Sequence, residues 1–392
     1  MSSETEGQAR TIAKGRTITT MSEHEVKVTE TTLSDGRQLL FFDDSPEALA
    51  GKVTRNSVDH RGLPETHTKS EMRKDPLTGD WVVFAAHRMN RTFLPPANEN
   101  PLAPTKPGAL PTEVPADDYD VVVFENRFPS FSMHMDVPAD YAEYADPAHM
   151  VPRAPAQARC EVVCFAPNPD ISFRDLPEYR IRTIIEVWAH RTRALSAIEG
   201  VQTVFPFENR GEEIGVTLQH PHGQIYSYPF LPPRISSIMH QLEEHPELFE
   251  NLLASELEDG RRIVAETDHF VVFVPAAAKW PLEVMVMPRR QVADFTELTD
   301  EEKEELSRVL KRLYTAVDNF FEGVERTPYI AAWNQAPVKH PARDCFRMHL
   351  QLFSLMRSPH RMKFLASSES AMGVWINDTT PEIIADTLRK VW

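Results

Sequence analysis

Two histidines flank one proline in the run Thr217-Leu218-Gln219-His220-Pro221-His222-Gly223-Gln224-Ile225-Tyr226. Proline disfavours the helical region for the residue before it, so His220 is expected to be extended. The aromatic and β-branched run that follows, Ile225-Tyr226-Ser227-Tyr228-Pro229-Phe230, reads as a strand. Alternate residues of a strand share a face, which sets His220, His222 and Gln224 in one row. Gly223 carries no side chain, so another backbone or a ligand can come close. Imidazole is a competent nucleophile near neutral pH, and a covalent intermediate splits one hard displacement into two easier ones. Beside an amide and glycine loops, such a ring suits attack on an electrophile bearing anionic oxygens, and phosphorus is the natural candidate. The bare spacing also fits two hydrogen-bonded strand histidines, or two ligands of a metal.

The elements that must position this row are legible around it. Val201–Phe207 reads as a strand that leads into the polar loop Glu208-Asn209-Arg210-Gly211. Strands are expected at Asp80–Ala85, Tyr119–Phe124 and Cys160–Phe165. Between them, Pro95, Pro96, Pro101, Pro104, Pro107, Pro111 and Pro115 mark a surface loop. Asp175 opens a helix with Pro177 in its first turn, and Ile181, Ile184, Ile185, Trp188, Thr192 and Leu195 give it one apolar face. A helical connection follows at roughly 235–259. The second half echoes the first. Glu283-Val284-Met285-Val286-Met287-Pro288 resembles Glu161–Pro167, and a helix follows each. The second helix has Thr299 and Glu302 as a capping box and Leu306, Val309, Leu310, Leu313 and Val317 as its apolar face. His349-Leu350-Gln351 echoes the strand that carries His222, with His349 read as a core histidine.

The 392 residues are enough for two or three domains with cores of their own. A formal charge of −16 argues against nucleic acid or an anionic membrane surface as partner. No apolar run approaches the roughly 18 residues of a membrane span. The first residues lack the apolar core of a signal peptide. Cys160, Cys164 and Cys345 are an odd and sparse set, which points to a reducing cytoplasm without a disulfide framework.

The likeness to a known family is carried by several segments in one order. They are Arg73–Val83, His87-Arg88-Met89-Asn90-Arg91, Phe124–Pro129, Phe207–Gly211, His220–Gln224 and Arg361-Met362-Lys363-Phe364. From roughly residue 70 onward the chain resembles the galactose-1-phosphate uridylyltransferases of the histidine-triad superfamily. The resemblance implies an α+β fold of tandem histidine-triad-like domains, with antiparallel half-barrel sheets flanked by helices. Residues 1–35 are expected to be a disordered tail, 36–233 the catalytic domain and 234–392 the second domain. The implied chemistry is a ping-pong transfer of UMP from UDP-glucose to a hexose 1-phosphate, with His222 as nucleophile and His220 and Gln224 beside it. Triad hydrolases carry a third histidine where Gln224 stands; an amide donates a hydrogen bond without delivering a proton. Arg88, Arg91, Asn126, Asn209 and Thr217 are the implied contacts to nucleotide and phosphate. Lys363, Phe364 and Glu369 are the implied contacts to the hexose phosphate, reached from the neighbouring subunit of a homodimer. The resemblance also places a zinc site at Asn100, Ala103, Pro169 and His220, and an iron site at Ile238, Asn334, His349 and Gln351. Those residue types cannot supply the ligands a metal needs, so no metal and no cofactor is expected. Replacement around Ser368 keeps open a related nucleotidyltransferase or sugar-nucleotide phosphorylase that uses another nucleotide, such as an ADP-sugar.

Overall fold

The computed structural model describes residues 16–19, 24–55, 57–90, 95–96, 99–137 and 148–392. The strands in chain order are β1 (Arg16–Thr19), β2 (Glu25–Thr32), β3 (Gln38–Asp43), β4 (Glu71–Lys74), β5 (Trp81–Phe84), β6 (Val121–Glu125), β7 (Arg153–Pro155) and β8 (Cys160–Cys164). There follow β9 (Thr203–Arg210), β10 (His222–Tyr228), β11 (Ile263–Glu266), β12 (Phe270–Phe273), β13 (Leu282–Pro288), β14 (Tyr329–Asn334) and β15 (His349–Ser354). Twelve of them form one sheet in the order β1-β2-β3-β6-β8-β10-β9-β14-β15-β13-β12-β11. The pairings along it are antiparallel, so the fold is α+β.

The sheet reads alike from its middle outward. On one side stand β9, β10, β8 and β6; on the other stand β14, β15, β13 and β12. The two halves join where Arg210 pairs with Tyr329 and Phe207 with Ala332. The echo in the sequence is therefore a structural repeat, and it leaves both halves in one continuous sheet.

Each half contributes one long helix to the same face. The helix Glu178–Ser196 starts three residues later than the sequence predicts, because Phe173–Asp175 forms a separate 3₁₀ turn closed by a Ser172–Asp175 capping box. The helix Asp300–Asp318 starts at the predicted Thr299–Glu302 box. Ile181, Ile184, Ile185, Trp188 and Leu195 of the first pack with Leu306, Leu310, Leu313 and Val317 of the second in one core over the sheet. A second core lies on the opposite face. There Leu33, Leu39 and Phe41 meet Leu102, Val114, Ala116 and Tyr119 of the proline-rich loop.

The expected disordered tail does not extend to residue 35. Glu25–Thr32 pairs with β3 along its length and buries Val26 and Val28. The alternation of those valines with Lys27 and Thr29 is a half-buried strand pattern inside a polar run. The first fifteen residues lie outside the described ones.

Leu310 is fully buried between the two long helices. Leu310→Ala is expected to cost about 2–5 kcal/mol. Urea unfolding would show it as a lower midpoint with an unchanged slope.

Candidate active site

β10 begins at His222, between β8 and β9. His222 is opposite Cys164, and Gln224 is opposite both Val162 and Phe207. Gly223 between them faces the Phe165 ring and the Phe207 carbonyl. A Cβ built there would lie 2.8 Å from Phe165 Cζ and 3.0 Å from Phe207 O. The glycine is thus required by close packing from its own fold.

The preceding turn fixes the ring of His222. Its Nδ1 donates to the His220 carbonyl at 2.7 Å. One imidazole nitrogen is thereby protonated and held, and Nε2 carries the lone pair. Burial lowers the pKa of the ring, which keeps it neutral at pH 7. His222 lies where two cavities meet. The first is lined by Arg88, Leu102, Phe124, Asn126, Phe128, Val162, Thr217, Leu218 and Gln224. The second is lined by Asn209, Arg210, Gly211, Glu212, His220 and Arg326, among others.

The first cavity joins apolar side chains such as Leu102, Phe124 and Val162 to charged and polar ones, Arg88, Glu113, Asn126 and Arg127 among them. Arg88 Nη1 donates to the Phe128 carbonyl at 2.9 Å and lies 3.5 Å from Tyr226 Oη. Asn126 Oδ1 accepts from Phe128 N at 2.9 Å, which leaves its amide N–H groups for other partners. The second cavity is polar. Arg210 on its wall is committed to Asp318 and the Thr327 carbonyl, so its charge is already matched. Glu208, buried behind it, accepts from Tyr329 Oη at 2.8 Å, and burial raises its carboxyl pKa to about 7.

The structure brings His220, His222, Gln224, Arg88, Asn126, Asn209 and Thr217 to these two cavities. Arg91 lies outside the described residues. Lys363, Phe364 and Glu369 line neither cavity in the single chain. Lys363 is buried, pairs with Glu369 at 3.2 Å and also donates to the Ile376 carbonyl, while Phe364 is exposed. Sequence reasoning missed Arg326, Glu208, Leu102 and Leu218. Leu102 sits in a proline-rich run without periodicity, and Arg326 is far along the chain from the motif, so neither carried a local pattern.

The positions where the resemblance places metals have other occupants. Asn100 Nδ2 donates to His220 Nδ1 at 3.0 Å, and His220 Nε2 donates to the Ala166 carbonyl at 2.8 Å. Both imidazole nitrogens are thus used. At the other place, Arg234 Nε donates to Asn334 Oδ1 at 3.1 Å, and Gln351 Nε2 donates to Glu283 Oε1 at 2.6 Å. His349 donates from Nδ1 to the Arg347 carbonyl at 3.0 Å, repeating the bond that holds His222. Among the described residues, no three His, Cys, Asp or Glu side chains are grouped to hold a metal.

A neutral imidazole on a sheet strand, held at one nitrogen and with the lone pair on the other, is the arrangement that nucleophilic catalysis requires. Comparison with known proteins narrows the class. The pattern described as galactose-1-phosphate uridyl transferase, N-terminal domain, matches residues 62–232, and that of the C-terminal domain matches residues 237–392. The chain is 40% identical to the galactose-1-phosphate uridylyltransferase of Streptomyces lividans, over 93% of this chain and 98% of that one. It is 35% identical to the Thermotoga maritima protein of the same name, over 82% and 98%. A solved uridylyltransferase structure is 29% identical and superposes with a TM-score of 0.69, over 82% of this chain and 98% of that one. An ADP-glucose phosphorylase from Arabidopsis thaliana, 21% identical, shares the fold with a TM-score of 0.60, over 83% and 99%. The chain belongs to the galactose-1-phosphate uridyl transferase family.

Two outcomes follow from the packing. Gly223→Ala is expected to destabilise by about 1–3 kcal/mol, since neither Phe165 nor the Phe207 carbonyl can give way cheaply. Thermal unfolding measures this. Burial also pushes His220 and His349 down to about 4 from an ordinary 6.5. The unfolded chain takes up those protons between pH 6.5 and 4 and the fold refuses them, so stability falls as pH drops through that window. Unfolding free energies from urea titrations at pH 7 and pH 5 are expected to differ by about 1 kcal/mol or more for each histidine.

Proposed function

We propose that this enzyme transfers UMP from UDP-glucose to galactose 1-phosphate, giving UDP-galactose and glucose 1-phosphate in galactose metabolism. The carrying observation is His222, with Nδ1 engaged and the residue shared by the linings of both cavities. In the first half-reaction Nε2 attacks the α-phosphorus. The N–P bond forms as the P–O bond to glucose 1-phosphate breaks, and the departing phosphate oxygen keeps the electron pair. In the second half, a phosphate oxygen of galactose 1-phosphate attacks the same phosphorus and the histidine leaves. The covalent uridylyl-histidine carries positive charge on its ring, and the bond to the His220 carbonyl disperses that charge.

The apolar slot of Leu102, Phe124, Phe128, Val162 and Leu218 suits a nucleoside, with Asn126 at the ribose. The polar cavity suits the sugar phosphate. Gln224, Asn209, Thr217 and Arg88 supply donors for the phosphoryl oxygens, and a guanidinium fork matches such oxygens well. Gln224 has no proton to give a leaving group, which fits a phosphate that departs unprotonated and favours transfer over hydrolysis. The family relatives support this substrate pair. Segment 363–369 completes the hexose phosphate site from the neighbouring subunit, so the working form is a homodimer. Three unpaired cysteines accord with a cytoplasmic enzyme.

Intact mass after mixing with UDP-glucose alone is the test. A gain of one uridylyl group, absent in His222→Ala and discharged by galactose 1-phosphate, is expected. A gain from ADP-glucose in its place would replace the donor, and no gain from either would overturn the nucleophile. Gln224→Ala is expected to slow uridylylation by roughly 100-fold or more. The rate is expected to stay level from pH 8 to 6.5 and to fall only at lower pH, because burial holds the nucleophile below its ordinary value.

A further inference from the structure

His220 supplies the carbonyl that holds His222, so whatever fixes His220 fixes the nucleophile. Its ring is enclosed by three residues from separate parts of the chain. Asn100 Oδ1 accepts from Leu102 N at 3.0 Å, which orients the amide so that Nδ2 faces His220. Nδ2 can only donate, so His220 Nδ1 must accept and Nε2 must carry the proton. That proton lies between the Ala166 carbonyl at 2.8 Å and Tyr119 Oη at 2.9 Å. Tyr119 Oη is buried, and the Leu102 and Ala166 carbonyls lie 3.1 and 2.9 Å from it. The brace is neutral, fully matched and free of charged ligands.

The loop that carries Asn100 is pinned by the N-terminal hairpin. Glu113 N donates to the Pro101 carbonyl at 2.9 Å, beside Asn100. Arg37, in the turn before β3, donates to Glu113 Oε2 at 2.6 Å, to the Glu125 carbonyl at 2.8 Å and to Asp35 at 2.7 Å. Arg61 meets the other Glu113 oxygen at 2.9 Å. Leu33, Leu39 and Phe41 pack beneath Leu102, Val114 and Tyr119. The β2–β3 hairpin precedes residue 62, where the family pattern begins, and with β1 it extends the sheet beyond β6.

We propose that the N-terminal hairpin and Asn100 together replace a metal as the device that positions the His-Pro-His turn. Asn100 and Arg37 are positioning residues: the first acts through His220, the second through Glu113 and the loop. The inference rests on the uridylyl-transfer reading for its kinetic consequences, but its structural readout stands apart from activity.

The test uses the full chain with ¹⁵N-labelled histidine. At pH 7 the wild type is expected to show His220 as the Nε2–H tautomer, and extraction with EDTA and 1,10-phenanthroline is expected to change neither this signal nor the melting temperature. Asn100→Ala removes the donor to His220 Nδ1 and is expected to shift that nitrogen's signal while the Ala166 carbonyl keeps the proton on Nε2, and to slow uridylylation by roughly 10- to 100-fold at saturating UDP-glucose, with KM nearly unchanged. Arg37→Ala is expected to shift the Nδ1 signal in the same direction, with Arg37→Lys between it and the wild type. Stoichiometric zinc whose removal scrambles the His220 signal would overturn the proposal. So would Asn100→Ala or Arg37→Ala with an unaltered signal. A wild type that shows the tautomer but forms no adduct would overturn the transfer reading and leave the brace standing.

Discussion

One hydrogen bond of 2.7 Å, from His222 Nδ1 to the carbonyl two residues earlier, sets the chemistry of this chain. It holds the proton on Nδ1 and leaves the lone pair on Nε2. It also constrains the sequence. The carbonyl must belong to an extended residue, which Pro221 enforces on His220. The next residue must have no side chain, because Phe165 occupies the space a Cβ would need. Pro221 and Gly223 follow from these demands, and burial keeps the His222 ring neutral.

The repeat shows what the same bond does without the rest. His349 makes the equivalent bond to the Arg347 carbonyl, yet it is buried under Phe249 and Phe346, whose ring centroids lie 5.7 and 6.0 Å from its own. Gln351, in the place of Gln224, is tied to Glu283. The second half therefore keeps the strand geometry and closes the space above it. β14 pairs with β9, the strand that carries Asn209, and Arg326 just before β14 lines the second cavity.

Much of this was legible before any coordinates. The strand after Pro221, the two apolar helix faces and the Thr299–Glu302 cap are local patterns with local causes, and they stand where periodicity puts them. β2 was missed because Val26 and Val28 alternate within a run of threonine, glutamate and lysine whose composition resembles a solvated tail, whereas the apolar run Gln38–Phe42 of β3 reads as a strand. Asn100 reads from sequence only as an absent thiolate. Its function depends on Leu102 N fixing the amide and on His220, 120 residues later, coming to meet it. Lys363 is the reverse case, a residue singled out for phosphate that the single chain pairs with Glu369. Contacts between distant segments leave no local pattern.

The account depends on which nitrogen reacts. Uridylylated protein prepared with ¹⁵N-histidine and UDP-glucose would show a one-bond ³¹P–¹⁵N coupling. The predicted result is coupling to Nε2 of His222, with Nδ1 still protonated and bonded to the His220 carbonyl. Coupling to Nδ1, or to another histidine, would contradict the geometry from which the mechanism is built.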